Sequence, residues 1–256
     1  MHPVLLEIGP LRIYSYGVFA AAGVLAAAWV AAREYARAGG EREAFEEAAF
    51  FALLGGIAGA RLFHVLVSWR SYAAQPLEIL RLWHGGLVYY GGLLGGLAAA
   101  FAATRRRKIP FLAAADAAAL GLPLGLALGR AGCLLAGCCY GKPSALPWAV
   151  VYTDPAAPAP LYVPLHPAQV YEALAALGIF ALLAATRARF RTPGMRFWTF
   201  LLLYGAGRFA LERYRDDPRG FLGPLSESQL VSVLLGLYAA ASIVRAGRRT
   251  APRPGP

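Results

Sequence analysis

Lysine is nearly missing: Lys108 and Lys142 are the only two in 256 residues. Charge of either sign is scarce as well, at 15% of the chain, where a soluble domain carries about a quarter. That shortage excludes a surface solvated on all sides. Cysteine occurs three times, as Cys133, Cys138 and Cys139 in one short segment, which excludes a disulfide framework. No polar linker is long enough to separate folded halves, so residues 1–256 are expected to form a single membrane-embedded domain. The first apolar run has no basic stretch before it, and no cleaved signal peptide is expected.

What is present is apolar. Hydrophobic residues make up 58% of the chain and mean hydropathy is +0.50. The formal net charge of +11 would suggest nucleic acid as the partner of a soluble protein. Here the basic residues cluster at the ends of apolar runs, where they anchor to membrane lipids, and no nucleic-acid partner is expected.

A bilayer core of about 30 Å takes roughly 20 mostly apolar residues per helix. Seven segments qualify, so the fold class is all-α, a polytopic membrane protein of about seven transmembrane helices. They run Tyr14–Ala32, Phe45–Trp69, Gly86–Thr104, Phe111–Arg130, Pro167–Thr186, Met195–Glu212 and Gln229–Arg245. Paired glycines four apart, as at Gly55/Gly59 and Gly91/Gly95, offer faces for close helix packing. Arginine clusters follow the first, third, fifth and seventh segments, which puts those loops in the cytoplasm. The amino terminus is then outside, and residues 246–256 form a disordered, basic cytoplasmic tail. Residues 131–166, rich in Pro, Gly and Cys, become a long outer loop, and long ordered loops usually carry function.

Ionisable residues inside spans are costly and by default functional. Tyr204, Arg208 and Glu212 are spaced i, i+4, i+8 on one helical face, and Arg215 continues it. A guanidinium fork suits a phosphate, and Arg130 with Arg208 at one depth suggests an anion site facing the outer leaflet. An ion pair between Arg208 and Glu212 that merely stitches helices is the bland alternative. Arg61 and His64 lie within the second span, Asp116 near the inner end of the fourth as a structural group, and Glu172 one turn into the fifth as a partner of the helix dipole. The cysteine spacing matches no standard two-plus-two zinc arrangement. Small buried side chains are the favoured reading, a thiol pair in an oxidising compartment the second and a bound metal a minor third; no metal ligand and no cofactor is assigned.

Four stretches in order carry a resemblance: Trp83–Gly92, Gly129–Gly141, His166–Glu172 and Tyr204–Arg215. Together they resemble the prolipoprotein diacylglyceryl transferase family over nearly the whole chain. The resemblance implies a multi-pass enzyme of the bacterial inner membrane with its site toward the periplasm. It would move the diacylglyceryl group of phosphatidylglycerol onto the lipobox cysteine thiol of a prolipoprotein signal peptide, forming a thioether and releasing glycerol phosphate. The implied catalytic residues are Arg130, Arg208, Tyr90, Glu212 and Tyr16. Arg130, Cys133, Gly141, Tyr204, His84 and Glu172 would contact substrate, Gly141 by leaving room for lipid. Better-known members have histidine at Tyr90, asparagine at Cys133 and glutamate at Cys138. The base could therefore be an activated Tyr90, or His84, or no protein group at all. A paralogue with another acceptor, or a non-catalytic lipid-binding or transport protein, is the alternative.

Overall fold

A computed structural model describes residues 1–9, 11–190, 192–216, 221–222 and 224–250. In chain order the helices are α1 Ser15–Arg37, α2 Arg42–Val67, α3 Trp69–Ala74, α4 Tyr89–Arg106, α5 Phe111–Ala136, α6 Ala168–Ala185, α7 Met195–Leu211 and α8 Glu227–Thr250. Every expected span coincides with one long helix. Five of them, α1, α2, α5, α6 and α8, are long and apolar enough to cross a bilayer. α7 has 17 residues, and α4 dilutes its apolar content with four glycines and two terminal arginines. Leu25, Val67, Leu94, Leu174 and Leu237 are each more than 60% exposed. In water such a surface would aggregate; in a bilayer it is the lipid-facing side.

The chain divides into two compact units, Met1–Ala31 with Ala115–Pro256, and Ala32–Ala114. Two helix ends differ from the sequence reading. α5 continues six residues past Arg130 to Ala136, because Gly132 is spaced so that its missing side chain admits α1 (Tyr16 Cα lies 3.3 Å from where a Cβ would be). The loop therefore begins at Gly137, not Ala131. At the other end α8 is helical to Thr250, four residues beyond the expected start of the tail, and 251–256 lie outside the described residues.

In the smaller unit, α2 and α4 pack glycine to glycine. A Cβ on Gly59 would meet Gly95 Cα at 2.8 Å, and one on Gly55 would meet the Gly95 carbonyl at 2.8 Å, so the spacing seen in the sequence is a true packing face. Arg61 is buried, and its guanidinium donates to the carbonyls of Ile79 at 2.9 Å, Gly85 at 2.5 Å and Gly86 at 3.1 Å. It clamps the connection that follows α3, a structural answer to an arginine inside a span.

In the larger unit, α1 crosses α5 through Gly23 and Gly125. Ala119 and Leu120 of α5, Leu183 of α6 and Phe200 of α7 form the core. Short antiparallel pairs join the helices: β1 Val4–Ile8 with β2 Leu11–Tyr14, β3 Val150–Val151 with β4 Pro164–Leu165, and β5 Phe221–Leu222 with β6 Leu225–Ser226. The 137–167 segment has its own small core of Tyr152, Ala157, Ala159 and Leu165. Burial pushes the Tyr152 phenol up to about 12, so it stays neutral in that core, where it accepts from Gln169 Nε2.

α7 starts at Gly194, in the left-handed region at φ 89° with no side chain to cap the helix. Asp116 of α5 does the capping from outside, accepting from Gly194 N at 2.6 Å and Phe197 N at 2.8 Å. These are donors a helix start otherwise leaves unsatisfied. Asp116→Ala is expected to cost about 1–2 kcal/mol and lower the midpoint of thermal unfolding in detergent by about 5 °C. Asp116→Asn, which keeps one acceptor oxygen, should fall between.

Candidate active site

Four helix ends of the larger unit place the ionic residues. Arg130 projects from the last two turns of α5. Glu172 comes one turn into α6, which starts directly after Pro167, a residue suited to the entry of a helix. Tyr204 and Arg208 lie on α7, and a single 3₁₀ turn, Glu212–Tyr214, then delivers Arg215. Ser226 and Ser228 arrive at the start of α8.

Glu172 is the hub. Its Oε2 is ion-paired with Arg130 Nε; its Oε1 accepts from Arg208 Nη1 at 3.1 Å and Arg215 Nη1 at 2.6 Å. Arg208 reaches the second acid as well, Nη2 to Glu212 Oε2 at 2.6 Å, and Ser228 Oγ at 3.2 Å. The other oxygen of Glu212 accepts from Ser226 Oγ at 2.7 Å. Both carboxylates are 8% exposed, against 2% for Arg215, 10% for Arg208 and 21% for Arg130. Charges this deep must be compensated. Among the described residues the cluster holds three guanidiniums and two carboxylates.

A small cavity of about 30 Å³ borders the cluster, lined by Arg130, Glu172, Tyr204 and Arg208 on one side and by Leu126, Ala176, Ile179 and Leu211 on the other. It joins a charged wall to an apolar one. Tyr204 is stacked on Phe200, rings 5.8 Å apart, which holds its ring against the cavity.

Gly141 sits behind the cluster in a backbone ladder. Its N–H donates to His166 O at 3.1 Å, Lys142 N donates to Tyr214 O at 2.8 Å, and Gly141 bridges Arg215. A Cβ there would lie 2.6 Å from two carbonyl oxygens, of His166 and Tyr214. What the missing side chain admits is protein backbone, in part the turn that leads into Arg215.

Cys133, Cys138 and Cys139 are all free thiols, and their sulfurs lie within 4.8 Å of one another. Cys133 Sγ is 4.0 Å from Arg130 Nη1. Hydrogen bonds from the Cys133 and Cys138 thiols, with Arg215 beside it, hold the Cys139 thiol far below the usual thiol range. The bond to Cys133, with burial, pushes Cys138 far above it. Tyr16 packs across Gly132 and lines an open, mostly apolar cavity with Tyr14, Cys138 and Pro158.

Of the residues expected from sequence, Arg130, Glu172, Tyr204, Arg208 and Glu212 come together. Cys133, Gly141 and Tyr16 adjoin them through their own neighbours. His84 and Tyr90 belong to the smaller unit. There His84 Nδ1 is 2.7 Å from Glu78 Oε2, a bond that holds the half-buried Glu78 carboxyl below its usual value. Tyr90 meets Tyr89 edge to face at 5.6 Å. Arg215 and Ser226 are the residues sequence reasoning left out of the site. Arg215 had a signal, since it extends the Arg208 face; Ser226 had none.

Apolar helices around a buried cluster of arginines and carboxylates define a class: a polytopic membrane protein with an ionic site at its helix ends. Residues 3–245 match the family described as prolipoprotein diacylglyceryl transferase, and the chain belongs to that family. It is 34% identical to the phosphatidylglycerol–prolipoprotein diacylglyceryl transferase of Clostridium tetani, covering 93% of this chain and 96% of that one. It is 36% identical to the enzyme of that name from Geobacter sulfurreducens, with 95% of each covered. With the one from Methylibium petroleiphilum it shares 38%, over 96% of this chain and 97% of that one.

Proposed function

We propose that this chain is a phosphatidylglycerol–prolipoprotein diacylglyceryl transferase of the bacterial inner membrane. In this reading it crosses the bilayer seven times, with α4 and α7 as the two less apolar spans. The arginine clusters stay in the cytoplasm, and the Arg130–Glu172–Arg208 end opens toward the periplasm. The observation that carries the reading is the convergence of three guanidiniums on Glu172, beside a cavity with one apolar wall.

The reaction asks for two things. The lipobox cysteine must attack as a thiolate, and the glycerol carbon must release a phosphate whose charge is compensated. The carbon–oxygen bond to phosphate breaks as the carbon–sulfur bond forms, and glycerol phosphate departs with the electron pair. The thiol proton leaves with solvent or the departing phosphate. Preorganised guanidiniums at low dielectric stabilise the developing charge without reorganising. Arg130 is the most exposed of the three, so it is the arm that turns from Glu172 to the lipid phosphate. Arg208 stays braced between Glu172, Glu212 and Ser228 and supplies the fixed half of the site. Glu212 and Tyr204 hold its position, and Tyr16 borders the approach to the thiols.

Expression of the chain in cells depleted of their own transferase tests the reading. Growth should return, with diacylglyceryl-modified lipoprotein in the membrane. A well-inserted protein that restores neither would overturn it, and label from phosphatidylglycerol appearing on a different acceptor would redirect it.

Tyr90 is 41% exposed, with no hydrogen-bonded cation among the described residues to draw its proton off. A positioned general base is worth about 10²–10⁴-fold. Tyr90→Phe is therefore expected to change the rate of lipobox-peptide modification by less than about twofold. A hundredfold loss would return the base to Tyr90.

A further inference from the structure

The cysteine spacing argues against a metal site on paper; the way α5 ends reverses that. Gly137 takes the left-handed conformation at φ 76°. Cys138 N donates to Cys133 O at 3.1 Å, and Gly137 N to Leu134 O at 3.4 Å. This pair of bonds is the glycine-terminated helix stop known as the Schellman motif. Its effect is to fold residue 138 back over residue 133, five positions earlier. Cys139 then adopts φ 61°, a backbone conformation that is costly without glycine and persists only where its surroundings impose it. The two turns in sequence bring together three sulfurs that a continued helix would have spread around its circumference.

We propose that Cys133, Cys138 and Cys139 form a binding site for one thiophilic metal ion of the zinc class. Zinc–thiolate bonds of about 2.3 Å require sulfur–sulfur distances of about 3.8–4.0 Å, and the three sulfurs already lie within 4.8 Å of one another. Rotation about Cα–Cβ closes the remainder. Each thiol gives up its proton to solvent on binding. Three thiolates and a divalent ion carry one net negative charge. Two guanidiniums are in place to balance it: Arg130, 4.0 Å from Cys133, and Arg215, beside Cys139. Gln169 supplies a second, independent sign. It is 1% exposed, its Nε2 donates to the Cys138 carbonyl at 2.7 Å and contacts Tyr152 Oη at 3.1 Å. Its Oε1 is buried without a partner among the described residues, a neutral oxygen of the kind a three-thiolate ion can take as a fourth ligand. The open cavity that Tyr16 and Cys138 line gives an ion a route in.

The proposal concerns binding alone and stands apart from the transferase reading. Cadmium serves as the probe, because its thiolate complexes absorb in the ultraviolet through sulfur-to-metal charge transfer. Protein reduced in detergent and freed of reductant is titrated with Cd²⁺. One equivalent should saturate the band, with affinity of about micromolar or tighter, and Cys138→Ser should weaken it at least tenfold. A band that is absent, or unchanged in a Cys138→Ser/Cys139→Ser double variant, overturns the site. Alkylation of the native chain, read by mass spectrometry, needs no variant. One equivalent of Cd²⁺ should protect all three thiols and a chelator should restore their reactivity; three thiols alkylated equally with and without cadmium would refute the proposal.

Discussion

Glu172→Gln is expected to lower diacylglyceryl transfer by about a hundredfold and to destabilise the folded protein at the same time. The substitution keeps the shape and removes the charge. Glutamine has one acceptor oxygen, and its NH₂ would face a guanidinium in the place of Oε1 or Oε2. Among the described residues the three guanidiniums would keep only the carboxylate of Glu212, which Ser226 already engages. Removing one partner of a buried ion pair costs about 3–5 kcal/mol, because the charge left behind has neither water nor a counter-ion. About 3 kcal/mol is a hundredfold in rate if Arg208 is displaced from its transition-state position. Glu172→Asp keeps the charge one methylene shorter, cannot span from Arg130 to Arg215, and should recover part of both losses. A double cycle with Arg215→Met separates hub from mere neighbour. If Glu172 is the hub, losing both partners costs less than the sum of losing each. Glu172→Gln with native turnover and native unfolding temperature would remove Glu172 from the centre of the site.

That Glu172 is the centre was not legible before the fold was known, and the reason is general. A bilayer dictates long apolar helices with charges at their ends, so each of the long helices declared itself in the order of the residues. The face shared by Tyr204, Arg208 and Glu212 declared itself too, because helical spacing is local. Glu172 read as a dipole partner because its three arginines come from positions 36 to 43 residues away or on another helix. Asp116 capping α7 is the same case, since its partners lie 78 and 81 residues on. One helix end failed: the span was expected to close at Arg130, but Gly132 beyond it is a packing contact inside the helix, and Gly137, five residues later, is the stop. Connections after α3, held by a single buried arginine, left no pattern at all.

Gly141→Ala should be nearly as damaging as losing the hub, while Gly129→Ala, twelve residues earlier in the same glycine-rich stretch, should not. A methyl group on Gly141 would lie 2.6 Å from the carbonyl oxygens of both His166 and Tyr214. Neither is the end of a flexible side chain, so backbone must move by several tenths of an ångström. The segments that move are the two that accept from Gly141 and Lys142, and the second runs directly into Arg215. Arg215 Nη1 is 2.6 Å from Glu172 Oε1, so the shift lengthens a bond at the hub. Overpacking of this kind costs about 1–3 kcal/mol, a loss of about tenfold or more in turnover if it reaches the guanidiniums. A Cβ on Gly129 meets nothing within 4 Å, and within a helix alanine is favoured over glycine by about 0.5–1 kcal/mol, so Gly129→Ala should unfold slightly later with unchanged turnover. Equal effects from the two substitutions would mean that Gly141 does not position Arg215. An unfolding temperature lowered by Gly141→Ala with native turnover would confine its role to the loop.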